Sequence, residues 1–301
     1  MQNDYVQDAA GIYFLSSVMI IISGFAGSFA IYMGYGNITV YEVNIFAMAI
    51  FMLMPVMALA RANPDLARKF SPAGLSRSRP AIMPLAVCAS VFAAFAMTNV
   101  GNVVYSALEA VGYTPAESTL IPTDWRELTT FVISSVFVAA ACEEAVLRGA
   151  ILTAFEPGGS WRAIVVSAAL FAILHCRVES LVQSFLAGIM LGFATVATGS
   201  VMTSIVMHAT YNATIIGMSF MSVDWQLALF GAGIAHDVAA SAMLMMIVAA
   251  ILAGIRHLSG MEFTPGGGNT SMSANAIILL SAGIATALCV MAVNAVQGIA
   301  K

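Results

Sequence analysis

Charge is what this chain has least of. Asp, Glu, Lys and Arg make up 9% of its 301 residues, against about 25% in ordinary soluble domains. So few ionised groups cannot clothe a water-facing surface. With 60% hydrophobic residues and a mean hydropathy of +0.93, the chain reads as an integral membrane protein. It has no basic patch of the kind that neutralises phosphates, which excludes nucleic-acid binding. Cysteine is scarce too. Cys88, Cys142, Cys176 and Cys289 all fall inside apolar segments, so buried structural thiols are expected and a disulfide framework is not. The stretch before the first apolar run holds Asp4 and Asp8 but no Lys or Arg. That lacks the basic region of a cleaved signal peptide, and the first segment is read as a span. There is no H-E-x-x-H sequence and no internal repeat.

What is there is a succession of apolar runs about 20 residues long, the length of a membrane-crossing helix rather than of a barrel strand. The expected fold is all-α: a polytopic membrane helix bundle of eight or nine transmembrane helices. The runs cover 12–35, 43–60, 81–108, 128–155, 161–176, 181–197, 201–223, a part of 227–255, and 276–296. They divide into an N-terminal transmembrane region, 1–127, a central core, 128–223, and C-terminal transmembrane helices, 224–301. The loop 61–80 carries Arg61, Arg68, Lys69, Arg77 and Arg79. It is the one dense basic cluster, which the positive-inside rule puts in the cytoplasm. The loop 109–127 holds four acids and one Arg and suits the outer face. Threading from an inside N-terminus puts Arg148, Arg162 and Arg256 on or toward the inner side as well, and leaves Arg126, Arg177 and Lys301 outside. The loop around Gly266-Gly267-Gly268-Asn269 is expected to be flexible.

Ionisable side chains inside the runs are few, and each costs several kcal/mol in hydrocarbon unless paired or facing a polar cavity. They are Glu143, Glu144 and Arg148, then His175, then His208 with Asn212 beside it. Of the other two histidines, His236 lies beside Asp237 near an interface and His257 in a loop. Depth can be compared at about 1.5 Å of rise per residue. Glu143 lies about 20 Å before the turn at Glu156, and His175 about 21 Å after Trp161 on the same side. Asn212 and His208 lie about 18 and 12 Å beyond Ser200. The four can meet in one layer near mid-membrane. His208 and Asn212, four apart, share a helix face, as do Phe171 and His175. Glu143 and Glu144 point about 100° apart, so only one can face the site. Glu144 stands at the spacing for a salt bridge with Arg148, which leaves Glu143 for chemistry. The stripe Ser184, Gly188, Gly192 lets helices approach closely, bringing the fifth and seventh runs together.

Glu143-Glu144-x-x-x-Arg148, Phe171-x-x-x-His175 and His208-x-x-x-Asn212, in this order on successive apolar helices, resemble the three signature motifs of the CAAX protease and bacteriocin-processing family. That family contains the type II CAAX prenyl proteases and their bacterial relatives. The Thr198-Gly199-Ser200 break is similar to the family pattern too, and the resemblance covers about 128–223. It implies a metal-free intramembrane glutamic protease that needs no cofactor and acts on a membrane-associated peptide or protein, in a bacterial inner membrane. Carried over residue by residue, Glu143 activates a water with the help of His175. His208 and Asn212 stabilise the oxyanion. Glu144, Arg148 and Phe171 support the site. Two alternatives stand beside this reading. One Glu and two His are a known zinc set, which would make a metalloprotease. A non-proteolytic scaffold or transporter could keep the same cluster for structure or proton relay. A Cys142 or Cys176 thiol paired with a histidine is disfavoured, because neighbours on a helix point apart.

Overall fold

The computed structural model describes residues 2–71, 81–114, 122, 124–230, 233–267 and 272–299. Arg77, Arg79, Glu117, Gly268, Asn269 and Lys301 fall outside them. Every regular element among the described residues is helical. The chain opens with α1 (Gln2–Tyr32) and α2 (Asn37–Met48), the latter running on through Ala49–Leu53 to Met54–Ala62. Then come α3 (Pro64–Phe70) and α4 (Ile82–Glu109). Helix α5 starts as Trp125–Val132 and continues unbroken to Thr153–Phe155. It is followed by α6 (Ser160–Leu174), α7 (Leu181–Thr198), α8 (Val201–Ser219), α9 (Val223–Phe230), α10 (Ile234–Ser259) and α11 (Ala274–Ile299).

Seven helices are long and apolar enough to cross a membrane, among the described residues. They are α1, α2, α4, α5, α7, α10 and α11. The protein is thus a polytopic all-α bundle, with fewer full-length apolar helices than the eight or nine spans expected. The two that fall short do so for physical reasons. Helix α6 has 15 residues, about 22 Å of rise against a hydrocarbon core of about 30 Å. Helix α8 is 19 residues long, but His208, Tyr211, Asn212 and several hydroxyls dilute its apolar character. Both pack on neighbouring helices over much of their surface, although Trp161 and Val165 of α6 stay exposed.

Local chemistry sets the ends. Asp124 caps α5, its carboxylate accepting from the backbone N–H groups of Arg126 and Glu127 at 2.8 and 2.9 Å, as an N-cap should. Asn63 caps α3 in the same way, with Pro64 at the first helical position. This short helix corrects the reading of 61–80 as loop alone. The Thr198-Gly199-Ser200 break is a left-handed turn at Gly199, φ +68°, which a residue without a Cβ adopts freely. Helix α10 runs past the expected loop start, so His257 belongs to its last turn.

Two ends of the bundle can be told apart. At one, Lys69 bonds Glu156 at 2.7 Å, Thr264 pairs with Ser160, and Arg256 lies over the Phe263 ring. At the other, Tyr113 donates to Glu179 at 2.8 Å, Arg177 bonds the same carboxylate, and the Thr114 N–H reaches the Gly298 carbonyl. Burial, with Glu179 beside it, pushes the Tyr113 phenol up to about 12. The described parts of the basic and acidic loops, 61–71 and 109–114, therefore lie at opposite ends. One apolar core joins Tyr13 of α1, Val56 of α2, Leu147 and Ile151 of α5, Ile164 of α6 and Ala276 of α11. All four cysteines are free. Cys142 and Cys176 are buried, but Cys88 and Cys289 are exposed, which overturns the expectation of four buried thiols. A thiol is apolar enough to face the outside of a membrane bundle.

Candidate active site

Helix α5 brings Glu143, Glu144 and Arg148 into the interior. Glu144 and Arg148 are both 0% exposed, and Arg148 Nη1 donates to Glu144 Oε1 at 2.7 Å. The guanidinium makes two further contacts. Nη2 donates to the Gly188 carbonyl on α7 at 3.0 Å, and its carbon stands 4.6 Å from the centroid of the Phe171 ring. A buried charge is tolerable only with such partners. The satisfaction is incomplete, since Glu144 Oε2 and Arg148 Nε have no hydrogen-bond partner. The expected Glu144–Arg148 pair is present. The glycine carbonyl that completes it lies forty residues away and carries no side-chain signal.

His208 on α8 connects the two glutamates. Its Nδ1 is 2.9 Å from Glu144 Oε1, and its Nε2 is 4.0 Å from Glu143 Oε2. Glu144 is already bonded to Arg148, so its oxygen accepts and His208 Nδ1 carries the proton. Glu143 has a different environment from its neighbour: its side chain is 17% exposed and its buried Oε2 has no partner. Helical spacing alone separates the two carboxylates. The His208–Glu144 bond was outside its reach, because it joins residues 64 apart in sequence.

His175 ends α6. Its Nδ1 is 2.9 Å from the Phe171 carbonyl. A carbonyl only accepts, so Nδ1 holds the proton and Nε2 is the ring's open nitrogen. The next residue, Cys176, takes φ +54° and turns the chain away, while its carbonyl is held by Asn294 of α11 at 2.9 Å. Phe171 stands edge-on to both histidines, 4.6 Å from His175 and 5.6 Å from His208 between centroids. It forms the wall that the four-residue spacing suggests.

Asn212 uses its amide nitrogen on the Ser135 carbonyl of α5, at 2.8 Å. That carbonyl lies in a π-helical stretch, Ile133–Val138. Such widened turns leave carbonyls off the regular ladder and recur at functional sites. One of the two amide hydrogens of Asn212 is therefore committed to joining α8 to α5.

His175, His208 and Asn212 line one cavity of about 590 Å³. Glu143 is not among its lining residues and connects to it through His208. The sequence-level reading did not single out Asn102, Gln183 or Tyr211, which line it as well. Gln183 Oε1 is buried without a partner; a lone amide within an apolar run was the signal available. The small-residue stripe meets the fifth run, as expected. A Cβ at Gly188 would come within 2.8 Å of the Ala168 backbone, and one at Gly192 within 3.3 Å of Ile164. The stripe thus seats α7 on α6, and Ser184 turns to the cavity. Cys142 belongs to the apolar core, away from the cavity lining. No three His, Cys, Asp or Glu side chains among the described residues come together as a metal-holding group.

No curated protein and no solved structure matches this chain. One family model does match, over residues 125–214, and its description is Type II CAAX prenyl endopeptidase Rce1-like. That interval contains Glu143, Glu144, Arg148, Phe171, His175, His208 and Asn212. The match covers under a third of the chain, and this central segment of a multi-pass membrane protein is similar to that family.

Proposed function

We propose that the chain is an intramembrane endopeptidase in which Glu143 activates water to hydrolyse a peptide bond of a membrane-associated peptide or protein. The observation that carries this reading is the 4.0 Å gap between Glu143 Oε2 and His208 Nε2, next to a cavity lined by both histidines. The gap is too long for a direct hydrogen bond and lets one water touch both atoms.

The water gives a proton to Glu143 and its oxygen attacks the scissile carbonyl. His175, with Nε2 open, accepts a hydrogen bond from the same water and aims it. The developing oxyanion needs donors in a dry site. His208 can donate from Nε2 only when its ring carries both protons, because the Nδ1 proton is given to Glu144. Glu144 holds the Nδ1 side of the ring, and Arg148 balances Glu144. Asn212 offers its second amide hydrogen. Collapse of the tetrahedral intermediate breaks the C–N bond as the proton held by Glu143 passes to the leaving amine. The reading is metal-independent. No three His, Cys, Asp or Glu side chains among the described residues converge, and a catalytic zinc takes three protein ligands.

The test is cleavage of a membrane-peptide reporter by the purified protein in lipid vesicles. Glu143→Gln abolishes cleavage, and a chelator leaves the wild-type rate unchanged. Wild-type turnover by Glu143→Gln overturns the mechanism, and zinc-restored activity after chelation replaces it with a metalloprotease.

A further inference from the structure

A second cavity lies on the other side of α7 from the catalytic one. It is a groove of about 760 Å³ between α7 and α10. Leu186, Ile189 and Phe193 form one wall, and Val248 and Leu252 the other. Arg256 stands at one end, beside His257 and Trp161. From Met245 to Arg256, both of which line the groove, α10 rises about 16 Å. That is about half a hydrocarbon core, the depth of one leaflet.

Arg256 has no carboxylate within ion-pair distance among the described residues. Its guanidinium lies 4.4 Å from the centroid of the Phe263 ring. That ring packs on Trp161 at 5.7 Å and Phe193 at 5.1 Å, so the cation is held in place without being neutralised. It sits at the end of the bundle where Lys69 meets Glu156, the end that carries the basic loop. A Trp at that level marks the membrane–water boundary. An apolar channel one leaflet deep, with an unneutralised cation and an indole at its mouth, has the complementarity of an acyl chain bearing an anionic head.

We infer that the α7–α10 groove is a binding site for an anionic phospholipid of the leaflet on the basic side, with its headgroup on Arg256 and one acyl chain between Ile189 and Leu252. The site is separate from the catalytic cavity. It braces α7, whose Gly188 carbonyl holds Arg148 and whose Ser184 faces the substrate cavity.

Trp161 reports on the groove directly. In a Trp125→Phe, Trp225→Phe background it is the only indole, since the chain has three. The full chain is reconstituted in phosphatidylcholine vesicles, and brominated phosphatidylglycerol or brominated phosphatidylcholine is titrated in. Half-maximal quenching is expected at a mole fraction about five-fold lower for the anionic lipid, the factor that one interfacial cation contributes. Arg256→Gln removes the difference between the two lipids, and Ala249→Phe, which fills the groove, lowers quenching by both. Equal curves for the two lipids in the parent protein overturn the proposal. So does an anionic preference that survives in both variants.

Discussion

Two ion pairs in this chain have nearly the same length and span one helical turn each, yet they sit in opposite surroundings. In α5, Arg148 and Glu144 meet at 2.7 Å with neither side chain exposed. In α3, Arg68 and Asp65 meet at 2.9 Å with side chains 77% and 83% exposed. The outer pair is solvated on all sides and screened, so its partners owe each other little. The inner pair has exchanged water for a glycine carbonyl, an aromatic face and a histidine. In the central segment, charge is an organising element; each ionised group sets where its neighbours from other helices must stand. In α3 the Arg68–Asp65 pair stands in the open and ties down no other helix.

Removing one partner should separate these environments most strongly at Arg148. Arg148→Met strands Glu144 in the interior and should cost about 3–5 kcal/mol, seen as a large fall in the thermal unfolding midpoint together with loss of cleavage. A midpoint that stays put would put the two pairs in the same class. Next comes Glu143→Gln, which tests the neighbouring carboxylate. Cleavage should fall about 10²–10⁴-fold, with stability changed by no more than about 0.5 kcal/mol. A matching loss of stability would make Glu143 a second structural acid. Lys69→Met falls between the extremes, since Lys69 is mostly buried and bonds both Glu156 and Thr153. About 1–2 kcal/mol is expected, measured by chemical denaturation in micelles. Arg68→Ala should change stability by less than about 0.5 kcal/mol, and a larger loss would show that α3 is held by more than its buried Leu66 and Phe70 contacts.

The helices were legible in the sequence because lipid demands long apolar runs, and each of the nine runs became a helix. Periodicity and rise placed His175, His208 and Asn212 at a shared depth, and they do share a cavity. Spacing along one helix also identified the Glu144–Arg148 pair. Contacts between helices were less visible. The Gly188 carbonyl under Arg148 and the Ser135 carbonyl under Asn212 are backbone groups, which every residue has. Helix α3 had a readable signal in Asn63-Pro64-Asp65, a cap followed by a first-turn proline and acid, hidden by the basic charge of the surrounding loop. The seating of α7 on α6 was legible too, because the stripe Ser184, Gly188, Gly192 marks close approach and its glycines do meet Ala168 and Ile164.

Helix α5 contains two widened stretches, Ile133–Val138 and Ala145–Leu152. Seen through insertion and deletion, each is a place where the helix carries a residue in excess of regular winding. Losing one residue within 133–138 would let the i→i−4 ladder close, and the segment would remain a helix. The extra residue is already taken up by the widened turn, so residues on either side would keep their faces. The Ser135 carbonyl would return to its own helix, leaving the Asn212 amide without its acceptor. A shortening that secondary structure absorbs would thus spare the helix and cost the bond that joins α8 to α5, and the extra residue in 133–138 is kept for a carbonyl more than for height.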